Sequence, residues 1–228
     1  MKDYRSTRSK IFFLLLSLAA LGAGCSAHAP IAPPVNTETS MGLVLLVPFQ
    51  NMQRIYGDNE SFTCPLSGNT YFIGQVAEGG DELMTEKLLA QLHRRGNIEI
   101  LPPEQAQGAQ AGLLRSSKTE LSEVELLVES GRALKAGAVV FGRIYRFTER
   151  QGTPYAADKP ASASFDILMI SAEDGRLLWE GHFNETQRPL MDNLFKIQTF
   201  IQQKGRWLTV QELADIGLEQ ALRTFPLK

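Results

Sequence analysis

Ala133-Leu134-Lys135-Ala136-Gly137-Ala138-Val139-Val140-Phe141-Gly142 is the stretch that decides the fold. It begins as the tail of a helical pattern, crosses a glycine and becomes an unbroken apolar run. Upstream, Ser122 and Glu125 stand at the spacing of a capping box, in which each side chain satisfies an otherwise orphaned amide of the other residue. Val124, Leu127, Val128 and Leu134 then share one helical face, and Gly137 is expected to turn the chain out of the helix. The apolar run reads as a strand reaching about Phe147. A strand without polar alternation needs cover on both faces, so helices are expected on either side of a sheet.

The same grammar continues in both directions. Leu43-Val44-Leu45-Leu46-Val47, halted by Pro48, is a second strand of the buried kind. Asp81 opens a helix to about Arg95 with Met84, Leu88, Leu89 and Leu92 on one face, and Gly96-Asn97 supplies its stop. Ile98 to Leu101 is a short strand ended by Pro102-Pro103. Toward the C-terminus, Ser164 to Ser171 and Leu177 to Thr186 flank Asp174-Gly175, a strong hairpin signal. Thr209 and Glu212 form a second capping box, with Leu208 placed to staple onto Leu213, and Leu213, Gly217, Leu218 and Ala221 form the inner face of the last helix. The expected fold is a mixed α/β (α+β) domain over residues 42–228, in the order βαβαββα, with helices packed on a mixed sheet of about five strands. Two insertions interrupt it: a polar loop at residues 51–80 and a helical segment at residues 189–204. Residues 148–161 contain Gly152, Pro154 and Pro160 and lack the long alternation of a membrane-inserted hairpin.

Several local sequences resemble the TolB N-terminal-like domains. Leu45-Leu46-Val47-Pro48-Phe49-Gln50-Asn51 is similar to their opening strand, and Ala133 to Gly142 to their entry into a central strand. Asp166 to Trp179 resembles their closing hairpin, with Asp174 where Thr is usual. The resemblance implies the fold of the envelope lipoproteins of the CsgG, PelC and LpoB type. For function it implies either an assembly or export component or a regulator docked on a periplasmic enzyme such as a peptidoglycan synthase.

The N-terminus supports an envelope address. Lys2, Arg5, Arg8 and Lys10 precede the apolar residues 11–21, too few for a comfortable membrane span, and Leu21-Gly22-Ala23-Gly24 leads into Cys25. This resembles a lipobox, although Leu21 lies one position earlier than usual. Residues 1–24 are then a signal peptide, Cys25 the acylated first residue of the mature chain, and residues 25–41, rich in Pro, Ala, Ser and Thr, a tether. Ser26 favours an outer-membrane destination, facing the periplasm. An ordinary cleaved signal or an N-terminal anchor helix with an incidental Cys25 is the alternative.

Residues 1–24 hold four of the 23 Lys and Arg and one of the 25 Asp and Glu, so the chain from Cys25 onward carries a formal net charge of −5. That argues against nucleic acid as a partner. With Cys25 acylated, Cys64 has no partner within the chain. Cys64-Pro65-Leu66-Ser67-Gly68 resembles half of a zinc-ribbon knuckle, but a closed site needs about four ligands, so a buried thiol is the better reading.

No G-x-S-x-G elbow, P-loop, H-E-x-x-H or dinucleotide fingerprint occurs. His28, His93 and His182 are scattered; His93-Arg94-Arg95 suits a helix C-terminus, and His182 an open strand face. Glu120, Glu123, Glu125 and Glu129 read as a solvated helix face, and Trp179 as core packing. The expected activity is therefore non-enzymatic, with no catalytic residues, metal or cofactor: a scaffold with protein partners and a capacity to self-associate. A small-ligand binder or unrecognised hydrolase using residues 51–80 is the remaining class. Leu190, Leu194, Ile197 and Ile201 form an apolar stripe with Phe195 beside it, a candidate interface that would otherwise pack on the domain's own sheet.

Overall fold

A computed structural model of the chain describes residues 42–96, 98–117, 119–153, 157–187 and 207–226. All of these belong to one compact unit, residues 40–228. Cys25 lies outside the described residues, as do Leu190, Leu194, Phe195, Ile197 and Ile201.

The apolar runs form the middle of the sheet. β1 (Leu43–Leu46) runs parallel to β5 (Glu99–Leu101) on one side and to β6 (Ala138–Thr148) on the other. β6 continues antiparallel into β9 (Ser162–Ser171) and that into β10 (Leu177–Thr186). The order is β10-β9-β6-β1-β5, and the two-residue β2 (Gln50–Asn51) also pairs with β6 to make six strands. The fold is thus a mixed α+β domain, as the sequence pattern requires.

Helices cover both faces. Met84, Leu88 and Leu92 of α2 (Gly80–Arg94) and Leu213, Ala214, Leu218 and Ala221 of α5 (Val210–Ala221) close one side over Val140, Ile144, Phe165, Ile167 and Met169. Ala106 of α3 (Pro103–Ser116) and Leu127 and Val128 of α4 (Glu123–Ala133) close the other over Val139, Phe141, Leu168 and Ile170. Both capping boxes form, at Ser122/Glu125 and Thr209/Glu212. The α3 helix escaped the pattern reading because its sequence is mostly Gln, Ala and Gly, with little apolar contrast. Pro103 in its first turn is a helix start as well as a strand stop.

Two local expectations are corrected. Gly137 is not the cap of α4. Lys135 takes the left-handed position (φ 58°), Ala136 N–H donates to the Gly131 carbonyl, and Gly137 N–H already donates to Leu43 in the sheet. Residues 51–80 are likewise not simply a loop. They hold β2's last residue, a five-residue helix α1 (Met52–Tyr56) and a small hairpin, β3 (Ser61–Thr63) with β4 (Thr70–Phe72). From the hairpin the chain runs beside β6: Gly74 N–H donates to Tyr145, Phe147 N–H to Gln75 and Ala77 N–H to Phe147. Short strands and Gly-rich joints hide such structure from periodicity. After β6, β7 (Gln151–Gly152) and β8 (Ala157–Lys159) make another short pair. No helix among the described residues is long and apolar enough to cross a membrane.

Candidate functional site

The hairpin inserted at β3–β4 lies over the α3/α4 side of the sheet and closes over buried charge. Along β6, Val139 and Phe141 face this side and are covered in the usual apolar way; two positions on, the same face carries Arg143, with no exposed surface, and then Tyr145. Arg143 sits directly opposite Asp166 of β9, which is equally buried. The Arg143 guanidinium donates through Nη2 to both carboxylate oxygens of Glu123, at 3.0 and 2.9 Å, and through Nη1 to Cys64 Sγ at 3.1 Å. Nη1 is 3.9 Å from Asp166 Oδ2, and the rings of Phe62 and Phe141 stand 5.3 and 5.2 Å from Cζ. Tyr145 donates its hydroxyl to the same Asp166 oxygen at 2.8 Å.

The hairpin supplies the lid of this cluster. Tyr71 stacks on Tyr145 with ring centroids 4.1 Å apart and planes 6° apart. Its hydroxyl donates to Glu180 Oε1 of β10 at 3.4 Å, and Asn69 Nδ2 donates to the same oxygen at 2.7 Å. Glu123 is the first residue of α4, where the helix dipole favours a carboxylate, so the cap and the buried arginine share one helix end. It is not merely part of a solvated acidic face: it is the counter-ion of Arg143. Cys64 is buried as expected and free, but it also accepts from Arg143.

Burial governs the titration here. It pushes Asp166 up to about 7, against the opposing pull of Arg143 and of the Tyr145 hydroxyl. Burial works against the Arg143 charge as well, but Glu123 and then Asp166 outweigh it and raise the pKa. The phenols of Tyr145 and Tyr71 are raised by burial first and by Asp166 second, so both stay protonated as donors. Arg143 Nε and Asp166 Oδ1 are buried with no hydrogen-bond partner among the described residues. One cation therefore faces two carboxylates, and Asp166 can hold a proton near neutrality.

Other candidates disperse. His93 lies in the last turn of α2, and His182 is exposed on β10. Trp179 packs in the core, edge-on to Phe225, with Nε1 donating to Thr224. A shallow groove of about 420 Å³ is lined by Asn51, Gln53, Arg54, Val76 and Glu78. Among the described residues no group of three His, Cys, Asp or Glu side chains gathers as a metal site. Sequence reasoning missed Arg143, Tyr145, Tyr71 and the role of Asp166. The available signal was a charge flanked directly by apolar or small residues within each of two strands, Gly142-Arg143-Ile144 and Phe165-Asp166-Ile167.

No protein-family model and no curated protein matches the chain. Solved structures that are similar include the C-terminal domain of LpoB from Escherichia coli, at 14% identity over 64% of this chain and 84% of that one, TM-score 0.39. A PelC dodecamer from Paraburkholderia phytofirmans is similar at 12% identity over 83% and 90%, TM-score 0.41. Lipoprotein GNA1162 from Neisseria meningitidis is similar at 12% identity over 72% and 97%, TM-score 0.39.

Proposed function

We propose that this chain is a lipoprotein of the bacterial envelope, anchored through acyl groups on Cys25 and facing the periplasm from the outer membrane. Its domain acts as a non-enzymatic scaffold for an export or secretion assembly. The observation that carries the reading is the basic n-region, short apolar run and small residues ending in Cys25, followed by a Pro- and Ala-rich tether. Ser26 and the sequence resemblance to TolB N-terminal-like domains agree with it. In the domain itself, the polar groups that interrupt the core bond to one another and to the hairpin, an arrangement that fixes a surface. The test is fractionation of a Cys25→Ser chain. Loss from the membrane fraction, or an unprocessed precursor, is expected; processing and fractionation like the wild type sink the anchor.

A second reading, a regulator docked on a periplasmic enzyme, is favoured by one observation. Ile55, Tyr56 and Phe72, all on the insertion, are 56%, 52% and 53% exposed. Large apolar side chains left in water suit a partner's surface. Co-purification of a synthase that is lost with Tyr56→Ser and Phe72→Ser supports this reading over the export scaffold.

A further inference from the structure

β10 is the last strand of the sheet, and it is long for an edge. Its ten residues span roughly 33 Å. Among the described residues its strand pairing is with β9 alone. The opposite edge, β5, has three residues. Natural proteins shorten long edges, bulge them, or place charged side chains (Lys above all) or Pro on them to stop strands adding. β10 has a bulge only at its start, between Leu177 and Trp179, and carries two glutamates, Glu180 and Glu185, but neither Lys nor Pro. Gln187, the residue that follows the strand, accepts from Leu208 N–H through its side-chain oxygen at 2.8 Å.

The faces of β10 are sharply different. Trp179, Gly181 and Phe183 are buried toward α5, whereas His182, Asn184 and Thr186 are exposed on the other face and Glu180 is half-buried there. A second strand that continues this sheet must keep that alternation, so odd positions meet odd and even meet even. For an antiparallel copy of β10 itself, one such register sets Gly181 opposite Gly181. Glu180 then meets His182 of the copy, twice, about a two-fold axis. Shifting the pairing one allowed step either way sets Glu180 against Glu180 or His182 against His182. Charge complementarity therefore selects one register among its neighbours. Among the described residues His182 has no hydrogen-bond partner, and the side-chain bonds of Glu180, from Asn69 and Tyr71, both go to Oε1.

We infer that β10 pairs antiparallel with β10 of a second copy of this chain, in the register that places Glu180 beside His182, joining two sheets across an isologous interface. This deepens the scaffold reading by naming a partner, and its test is separate from that of the anchor.

The experiment co-expresses two differently tagged full-length chains, Glu180→Cys and His182→Cys, with the wild-type chain as control for bridges through Cys25 or Cys64. Directly opposed Cβ atoms lie about 4.5–5.5 Å apart, close to the disulfide range, whereas diagonal neighbours lie somewhat under about 7–8 Å, beyond it. The expected result is a mixed disulfide between the two tags, with little bridging when either variant is expressed alone. A non-disulfide arm uses light scattering of the detergent-solubilised chain. His182→Glu should weaken the dimer about tenfold, from two like-charge pairs, and mixing it with Glu180→Lys should restore the dimer. Cooperative thermal melts confirm that both variants fold; Glu180→Lys, which gives up the bonds from Asn69 and Tyr71, should melt lower than the wild type but still in one transition. No mixed disulfide, equal bridging by the single variants, or a wild-type chain that stays monomeric at tens of micromolar would each overturn the inference.

Discussion

Asp166→Asn should flatten the dependence of stability on pH, and the size of the effect follows from where the carboxyl sits. An unfolded aspartate titrates near 3.9, whereas burial pushes Asp166 up to about 7 in the folded chain. Between those values the folded chain holds the proton and the unfolded chain does not. The native state is therefore favoured by this group at low pH, loses that advantage as pH rises from about 4 to about 7, and stays lower above. The full cost of ionising Asp166 is on the order of 4 kcal/mol, of which about 2.5 kcal/mol falls between pH 5 and pH 8. Asparagine keeps the shape and an acceptor for the Tyr145 hydroxyl but cannot ionise. It also removes the 3.9 Å Arg143–Asp166 pair, so the variant's absolute stability can move either way; the informative quantity is the slope. Urea unfolding, followed by Trp179 and Trp207 fluorescence at half-unit steps from pH 5 to pH 8, measures it. The wild type should lose about 2.5 kcal/mol more than the variant across that range, or about 5–10 °C in melting temperature for a domain of this size. Parallel profiles for the two proteins would refute the reasoning, and would mean that Arg143 keeps Asp166 ionised throughout.

The cluster and the core make further demands. Arg143→Met should cost about 3–5 kcal/mol, because it leaves Glu123 and Asp166 without their cation, and it should open the hairpin first. Cys64, fully buried in the wild type, should then react with a thiol reagent under native conditions; continued protection contradicts the hairpin's dependence on Arg143. Gly142→Ala should destabilise by about 1–3 kcal/mol or more, since a Cβ there would stand 2.2 Å from Phe49 Cε1. Adding Phe49→Leu should recover part of the loss in a denaturant melt, and a Gly142→Ala chain as stable as the wild type counts against this packing.

What the sequence disclosed and what it hid have physical reasons. Continuous apolar runs at Leu43 and Ala138, the Asp174-Gly175 turn and two capping boxes each encode their structure within a few residues, and each formed where expected. The buried cluster is different in kind. Glu123, Cys64, Tyr71, Arg143 and Asp166 come from four separate segments and meet only once the sheet register and the hairpin are set. A glutamate at the start of a helix looks the same in sequence whether it faces water or a buried arginine. Gly137 misled for the opposite reason. A glycine at a helix–strand junction usually takes the left-handed position, yet here Lys135 adopts it, which lets Gly137 join β1 two residues later.

Three-residue strands such as β3 and β4 do not hold themselves together in water. Phe62 and Tyr71 give the hairpin an apolar inner side, but apolar contact alone is forgiving of small slips, because it has no direction. The directional bonds are polar: Arg143 to Cys64, Asn69 and Tyr71 to Glu180, and the backbone pairs that carry residues 74–77 along β6. Replacing a buried charged cluster with hydrophobic groups is often neutral or stabilising, so stability does not account for its presence. Its geometric consequence is a separate matter. The cluster sets the hairpin against one row of the sheet, and the same Glu180 that anchors Asn69 and Tyr71 stands on β10, whose outer edge pairs with no strand among the described residues. Hairpin position and edge chemistry are thereby tied through one carboxylate, so a change that frees the hairpin also alters the charge that β10 offers to a second strand.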